Sequence, residues 1–251
     1  MCPVNRGMKR AKTFLPFSLI KKIVAENPQV QSFGLSNWGE PLLHPDFQVI
    51  IKYLTCQNKG FYLNTNATLL NENMAKCLVQ SNLTSITFSI DGVGKTYEKI
   101  RGTNYQKVKQ NILHFLSLRN QNNPKITVKI MVTVSMYNEK DGDKIVKEWS
   151  PYATVTAQPA ITFKLDNRKG KCSQPFLNHL VVLSNGTVTL CCVDYEGTMQ
   201  VGNAYNQSLN EILGSEQTRF IQQNQSEVCR FCSEYQTDVV VDRFKTEMAT
   251  A

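Results

Sequence analysis

The segment VQSFGLSNWGEP, residues 30–41, decides the fold. Val30 to Leu35 reads as a short apolar strand. Asn37-Trp38-Gly39-Glu40-Pro41 follows it as a turn that exposes backbone groups and one carboxylate, a combination suited to a ligand carrying an ammonium group. The same arrangement recurs twice. Gly60 to Asn64 reads as a strand running into Asn64-Thr65-Asn66-Ala67. Ser85 to Ile90 reads as a strand running into Ser89-Ile90-Asp91-Gly92, with Tyr97-Glu98-Lys99-Ile100-Arg101-Gly102 downstream. Polar clusters after successive strands fall on the edge where parallel sheets and barrels build their sites.

Working outward, amphipathic stretches separate these strands. Helices are expected over Leu15–Ala25, Pro45–Cys56, Leu70–Gln80 (capped by Thr68), Tyr105–Leu118 and Lys140–Trp149, with a further β-branched strand over Ile126–Val134. Alternating strands and helices imply right-handed βαβ units and a parallel sheet. Periodicity leaves both an open sheet and a partial barrel in play. After residue 160 the pattern changes. Asp166 to Lys171 reads as a linker. His179–Leu183 and Thr187–Cys191 flank Asn185-Gly186, a hairpin signal in which both turn residues are expected at positive φ. Leu209–Gln222 reads as a helix, and the residues after Asp242 as a frayed tail. The expected division is residues 1–160 and residues 161–251.

The 251 residues are 41% hydrophobic and 19% charged, enough to bury a core and against wholesale disorder. No apolar run reaches the roughly 18 residues that span a membrane. The N-terminus lacks a signal-peptide apolar region, so a cytoplasmic location is expected. The net charge of +8 divides unevenly: residues 1–160 carry 20 Lys/Arg against 10 Asp/Glu, and residues 161–251 carry 8 against 10. The basic excess is compatible with an anionic substrate, but its charges are scattered without aromatic interleaving, as on a solvated basic surface. The acidic balance of residues 161–251 speaks against nucleic-acid binding there, which needs clustered Lys/Arg.

Five of the eight cysteines, Cys172, Cys191, Cys192, Cys229 and Cys232, lie close together in sequence. In a reducing compartment they read as metal ligands or reactive thiols before disulfides. The Cys229-x-x-Cys232 spacing lets one tight loop present two thiolates to one centre. Cys191 and Cys172 flank the hairpin. Strand alternation admits only one of Cys191 and Cys192 as a ligand if the strand reaches them. Four thiolates suit zinc or a [4Fe–4S] cluster, and spacing alone leaves both open. Cys56 and Cys77 fall in predicted helices and read as core thiols.

Together these stretches resemble the radical S-adenosylmethionine (SAM) enzymes, across most of the chain. The resemblance implies a partial (β/α)6 barrel lacking its first strand, followed by a small C-terminal domain with a β-hairpin and helix. The family's Gly-Gly-Glu-Pro motif, which lines the methionine amino group, appears as Trp38-Gly39-Glu40-Pro41, with Trp38 in place of the first glycine. By the same analogy Ser89 and Asp91 lie near the methionine carboxylate or the ribose. Asn64 and Asn66 sit at the corresponding strand end, Val132–Asn138 lies near adenine, and Arg101 supports the site. The C-terminal part resembles the SPASM extension in its shortened twitch form. Cys172, Gly186 and Cys191 keep the family's cysteine-glycine-cysteine spacing, and Cys229-x-x-Cys232 follows. The implied ligands of one auxiliary [4Fe–4S] cluster are Cys172, Cys191, Cys229 and Cys232, with Cys192 the spare. Cys2 matches the third cysteine of the family's Cys-x-x-x-Cys-x-x-Cys motif. The first two cysteines would lie upstream of Met1, so the chain is expected to be a fragment or to start at an internal methionine.

The implied function is cleavage of SAM to a 5′-deoxyadenosyl radical for hydrogen abstraction from an unidentified substrate, an anionic small molecule or a peptide. An electron donor such as flavodoxin or ferredoxin is the implied partner. The competing reading is a non-catalytic iron–sulfur or zinc protein with a decayed SAM pocket.

Overall fold

The structure is a computed structural model that describes residues 3–5, 7–160, 180–224, 229 and 232. Contacts group residues 31–160 in one unit, and residues 7–30 with the described C-terminal residues in another.

The first of these units is an α/β layer. Strands β1 (Ser32–Gly34), β2 (Gly60–Thr65), β3 (Leu83–Ser89), β4 (Thr127–Val134) and β5 (Thr154–Pro159) form one parallel sheet in chain order. Helices α2 (Phe47–Cys56), α3 (Glu72–Val79), α4 (Lys95–Arg101), α5 (Tyr105–Asn122) and α6 (Gly142–Trp149) connect them. β5, in the run Thr-Val-Thr-Ala-Gln-Pro, lacks the long apolar run that marked β4 and was not expected from the sequence. It extends the pairing in register, Ile130 opposite Val155 and Val132 opposite Ala157. Helix α4, cut off from α5 by Gly102, was not expected either. Asn71, not Thr68, caps α3 by accepting from Met74 N–H at 2.9 Å. Thr68 turns back to Asn66, whose Oδ1 accepts from its backbone N–H and its hydroxyl.

Alternation along the strands divides the sheet into two unlike faces. Phe61, Leu63, Ile86, Phe88, Val128, Ile130, Val132 and Val155 are buried on one face. Phe88 meets Phe115 of α5 edge-on with ring centroids 5.7 Å apart. Each such fully buried side chain contributes roughly 1.5–3 kcal/mol from apolar transfer. On the other face lie Tyr62 and Asn64, exposed, and Ser85, Thr87 and Ser89, half-buried. Lys129 is exposed there, and Met131 and Thr133 are half-buried. In register, Asn64, Thr87, Lys129 and Thr154 form one row across four strands. Parallel sheets usually bury both faces under apolar side chains. The polar second face of this sheet departs from that composition.

In the second unit, β6 (Val181–Val182), β7 (Thr187–Thr189) and β8 (Gln200–Asn203) form an antiparallel sheet in that order. The hairpin turn differs from expectation. Only Gly186 has a positive φ, +80°, and Asn185 does not. Gly186 N–H donates to Leu183 O at 2.8 Å, so Ser184 and Asn185 form the centre of a turn and Gly186 takes the left-handed position after it. A Cβ at Gly186 would also come within 2.5 Å of the Tyr205 ring, so packing and backbone both select glycine. The expected helix over Leu209–Gln222 is two: α7 (Leu209–Leu213), with a capping box between Ser208 and Glu211, and α8 (Glu216–Asn224), separated at Gly214-Ser215. Helix α1 (Phe17–Glu26) belongs to this unit and extends Lys22 Nζ to Ala204 O and Gln207 O at 3.0 and 3.3 Å. The expected linker Asp166–Lys171, the hairpin residue His179 and the tail after Asp242 lie outside the described residues.

Candidate functional site

The turns after β1, β2 and β3 supply the polar residues singled out in the sequence. After β1, Gly39 adopts φ +116°, and Glu40 begins a single 3-10 turn, Pro41–Leu43. Glu40 is fixed from both sides. Its Oε1 accepts from Thr65 Oγ1 at 2.6 Å and from Leu42 N–H at 3.2 Å, and its Oε2 accepts from Asn66 N–H at 2.8 Å. Asn66 therefore serves through its backbone, while its side chain shapes the turn. Thr65 in turn accepts from Ala67 N–H at 3.0 Å, and Ala67 sits at φ +57°. Asn64 N–H donates to Ser36 Oγ at 2.9 Å, and Asn64 itself is exposed on the polar face. A carboxylate has about four acceptor positions. Three are filled at Glu40, and the remaining one is on Oε2. Burial raises the Glu40 pKa above the ordinary carboxylate value, against the lowering effect of its hydrogen bonds and of the Arg101 charge.

After β3, Asp91 is 1% exposed. Its Oδ1 accepts from Thr133 N–H at 2.7 Å, and its Oδ2 lies 2.7 Å from Arg101 Nη2 without hydrogen-bond geometry. Burial again raises the pKa, with Arg101 the strongest opposing influence. Asn138 fastens the loop after β4 to the same point. Its Nδ2 donates to Asp91 O and Thr133 O, both at 2.9 Å, and its Oδ1 accepts from Ser135 N–H at 2.7 Å. Ser89 ends β3 opposite Met131 and is half-buried. Tyr97 is fully buried, and its Oη has no hydrogen-bond partner. Arg101 Nε is likewise buried without one. Burial raises the Tyr97 pKa, with Arg101 opposing and the charges of Asp91 and Glu40 reinforcing the rise. Glu40, Asp91, Tyr97 and Arg101 thus share one electrostatic neighbourhood.

Thr65 and Tyr97 were not assigned individual roles from the sequence, and Thr133 and Asn138 were placed only within the Val132–Asn138 segment expected near adenine, not as partners of Asp91. Thr65 had a visible signal: it follows Asn64 in strand alternation and so turns to the face opposite Asn64. Tyr97 and Asn138 lie in stretches singled out from the sequence, but nothing in those stretches marks either as a partner of the Asp91–Arg101 pair.

In the other unit Cys191 and Cys229 are buried, and so is Cys232. Cys192, adjacent to Cys191, is exposed. β7 ends at Thr189, so strand alternation does not reach this pair, and burial separates them instead. Cys191 Sγ accepts from Val193 N–H at 3.4 Å, and Cys229 Sγ lies 3.7 Å from Met199 Sδ. The hydrogen bond with Cys192 and then burial push the Cys191 thiol pKa up. Asp194, 3% exposed, accepts from Thr189 Oγ1, Thr198 N–H, Thr198 Oγ1 and Met199 N–H at 2.8–2.9 Å, which closes the loop between β7 and β8. Among the described residues no three Cys, His, Asp or Glu side chains converge closely enough to hold a metal ion. Cys2 and Cys172 lie outside the described residues. Cys56 is exposed on α2 and Cys77 half-buried on α3, so neither is the core thiol expected.

The model of the Radical SAM superfamily matches residues 1–148, and that of the SPASM iron–sulfur cluster-binding domain matches residues 172–233. The chain belongs to the radical SAM superfamily. Its C-terminal part carries the iron–sulfur cluster-binding domain found in enzymes of this group, and the family's cofactors are [4Fe–4S] clusters and SAM. Over 75 residues it is 33% identical to an Fe-coproporphyrin III synthase of Methanosarcina barkeri (strain Fusaro / DSM 804), a match covering 28% of this chain and 19% of that protein. The match thus spans about a fifth of the curated relative's length. In fold it is similar to BtrN in complex with AdoMet and 2-DOIA (TM-score 0.65, 15% identity, covering 95% of this chain and 88% of BtrN). It is similar also to anSMEcpe with bound AdoMet and the Cp18Cys peptide (TM-score 0.63, 16% identity, covering 94% of this chain and 83% of that one). These likenesses establish the fold.

Proposed function

We propose that this chain binds SAM and an auxiliary iron–sulfur cluster in the manner of a cytosolic radical SAM oxidoreductase or maturase. The observation that carries the reading is the anchoring of Glu40 by Thr65 and Asn66, with one acceptor position left on Oε2, beside the buried Tyr97–Arg101–Asp91 group. An amino-acid moiety needs an acceptor for its ammonium and donors for its carboxylate. Glu40 is the acceptor. Tyr97 Oη and Arg101 Nε are buried donors without partners, so the residues present fit SAM. Gly39 and Pro41 hold the turn in which Glu40 is presented. Ser89 and Asn64, on the polar face at the same strand ends, are assigned to the rim of the pocket. Asp91 acts as the brace that orients Arg101, since both of its oxygens face protein groups.

The auxiliary ligand set fits a [4Fe–4S] cluster by its donor chemistry: buried thiols at Cys191, Cys229 and Cys232, an N–H donor on the Cys191 sulfur, and Cys172 completing four. For the catalytic cluster, which takes three thiolates, this sequence offers Cys2. Such a cluster, when bound, would supply the electron for reductive cleavage of SAM and so the radical chemistry of the family. This chain's residues would position SAM by its amino-acid end.

For the substrate, the polar face carries Lys129 in the row Asn64, Thr87, Lys129 and Thr154, which supports an anionic group. The anSMEcpe peptide complex supports a peptide, and BtrN with 2-DOIA supports a small molecule. A low-potential donor of the flavodoxin or ferredoxin class would supply electrons. No helix among the described residues is long and apolar enough to cross a membrane.

Equilibrium dialysis of the anaerobically reconstituted chain against SAM tests the reading. Saturable binding that Glu40→Ala weakens is expected. Absent binding, or binding unaffected by that substitution, overturns the SAM assignment.

A further inference from the structure

We propose that Arg10 and Glu196 form a clasp that positions the auxiliary-cluster ligand loop, tying it to the segment that follows Cys2. The inference rests on the reading of Cys191 as a cluster ligand. Lys9 N–H and Arg10 N–H, two successive backbone donors, hold the two oxygens of Glu196 at 2.7 and 2.9 Å. Successive backbone N–H groups aimed at one carboxylate form an anion-holding nest. The Arg10 side chain then grips the neighbouring backbone. Its Nε donates to Tyr195 O at 2.9 Å and its Nη1 to Ser184 Oγ at 2.5 Å, and Thr13 Oγ1 meets the same Ser184 at 3.1 Å. Ser184 lies in the β6–β7 turn, and Tyr195-Glu196 lie four and five residues after Cys191. The clasp therefore holds both sides of the strand that leads into Cys191.

Inside the same loop, Asp194 collects the four hydrogen bonds that fix Thr189, Thr198 and Met199. Met199 in turn touches Cys229. The interior of the loop is closed by Asp194 and its outer side by residues 9–13. Residues 7–16 have no helix or strand of their own, so the segment is held where it is by these contacts. Arg10 is eight residues from Cys2 in sequence. The clasp thereby joins residues 9–13 and the loop of Cys191 into a single mechanical piece. Arg10 and Glu196 are positioning residues, since they act through the loop.

The test uses the 251-residue chain, reconstituted with iron and sulfide, as wild type, Arg10→Gln, Glu196→Ala and the double variant. A Lys22→Met control removes a polar tie of the same unit to Ala204 and Gln207 without touching the loop. Hydrogen exchange of residues 190–199 is expected to quicken by about tenfold in each clasp variant. Iron release to a chelator should quicken by a similar factor, with the melting temperature little changed. The double variant should resemble the singles, because both substitutions break one clasp. Exchange and iron release equal to wild type in both single variants overturns the proposal. So does an equal effect of Lys22→Met, which would mean general loosening. If the wild type takes up no iron, the cluster reading fails, and the exchange comparison still decides the clasp.

Discussion

Asn66 N–H donates to Glu40 Oε2 at 2.8 Å, so the turn after β2 holds the carboxylate presented after β1. Adjacent parallel strands place their C-terminal turns side by side. With Thr65 Oγ1 on the other oxygen, Glu40 keeps one direction free. Glu40→Ala is expected to weaken SAM binding by about 1.5–3 kcal/mol, the scale of a charged hydrogen bond. Isothermal titration calorimetry on both proteins reads this directly, and equal affinities would remove Glu40 from the pocket.

The elevated pKa of Glu40 gives binding a pH dependence of known sign. Burial favours the protonated form, whereas an ammonium ligand needs the carboxylate. Affinity should therefore rise as pH increases through a value above the ordinary carboxylate range, with proton release on binding inside that window. For stability the sign is opposite. A carboxyl whose folded pKa exceeds its unfolded pKa binds protons more tightly when folded, so its contribution to stability falls as pH rises through the window. Titrations between about pH 4 and pH 7, in buffers of differing ionisation enthalpy, read the binding linkage. A pH-independent affinity would contradict it.

Asp91 and Arg101 form a pair in which the acid is buried and the base is a quarter exposed, at 2.7 Å. Removing the cation leaves Asp91 Oδ2 buried without a counter-charge. Arg101→Met is expected to lower unfolding stability by about 3 kcal/mol. Adding Asp91→Asn should recover part of that, because the uncompensated charge is gone. Urea denaturation of the two singles and the double completes the cycle, and strict additivity would show the two side chains to be energetically independent.

The strands most readily read from the sequence are those whose buried alternation is uninterrupted. β2 and β4 display it in Phe61-Leu63-Thr65 and Val128-Ile130-Val132. β5 escaped because its outward residues are Thr154, Thr156 and Gln158 and its last residue is proline, so its pairing is decided by β4 rather than by its own composition. The parallel sheet was legible because β1, β2, β3 and β4 are each followed by a helix. The three turns of the site were legible too, since Glu40, Asn66 and Asp91 stand at strand ends. What the sequence did not show is who holds whom. Asn138 lies forty-seven residues from Asp91 and Thr65 twenty-five from Glu40, and only the sheet register brings them together. The hairpin was read correctly as a hairpin and incorrectly as a two-residue turn. The Asn185-Gly186 pair is common to both turn types, and the contact of Gly186 with Tyr205 is long-range.

Burial makes the choice between Cys191 and Cys192 testable. Cys191 is 9% exposed and receives the Val193 N–H, an interaction that stabilises a thiolate or a cluster-bound sulfur, while Cys192 is exposed. Cys192→Ser should leave about four irons per chain after anaerobic reconstitution, and Cys191→Ala and Cys229→Ala should each fall well below that. Loss of a ligand should also loosen the surrounding fold, because cluster binding and folding of small metal domains are coupled. Iron and sulfide analysis with a melting curve for each variant distinguishes the outcomes. Iron retained in Cys191→Ala but lost in Cys192→Ser would exchange the two assignments. Iron retained in Cys229→Ala would exclude the Cys229-x-x-Cys232 pair as the cluster's anchor.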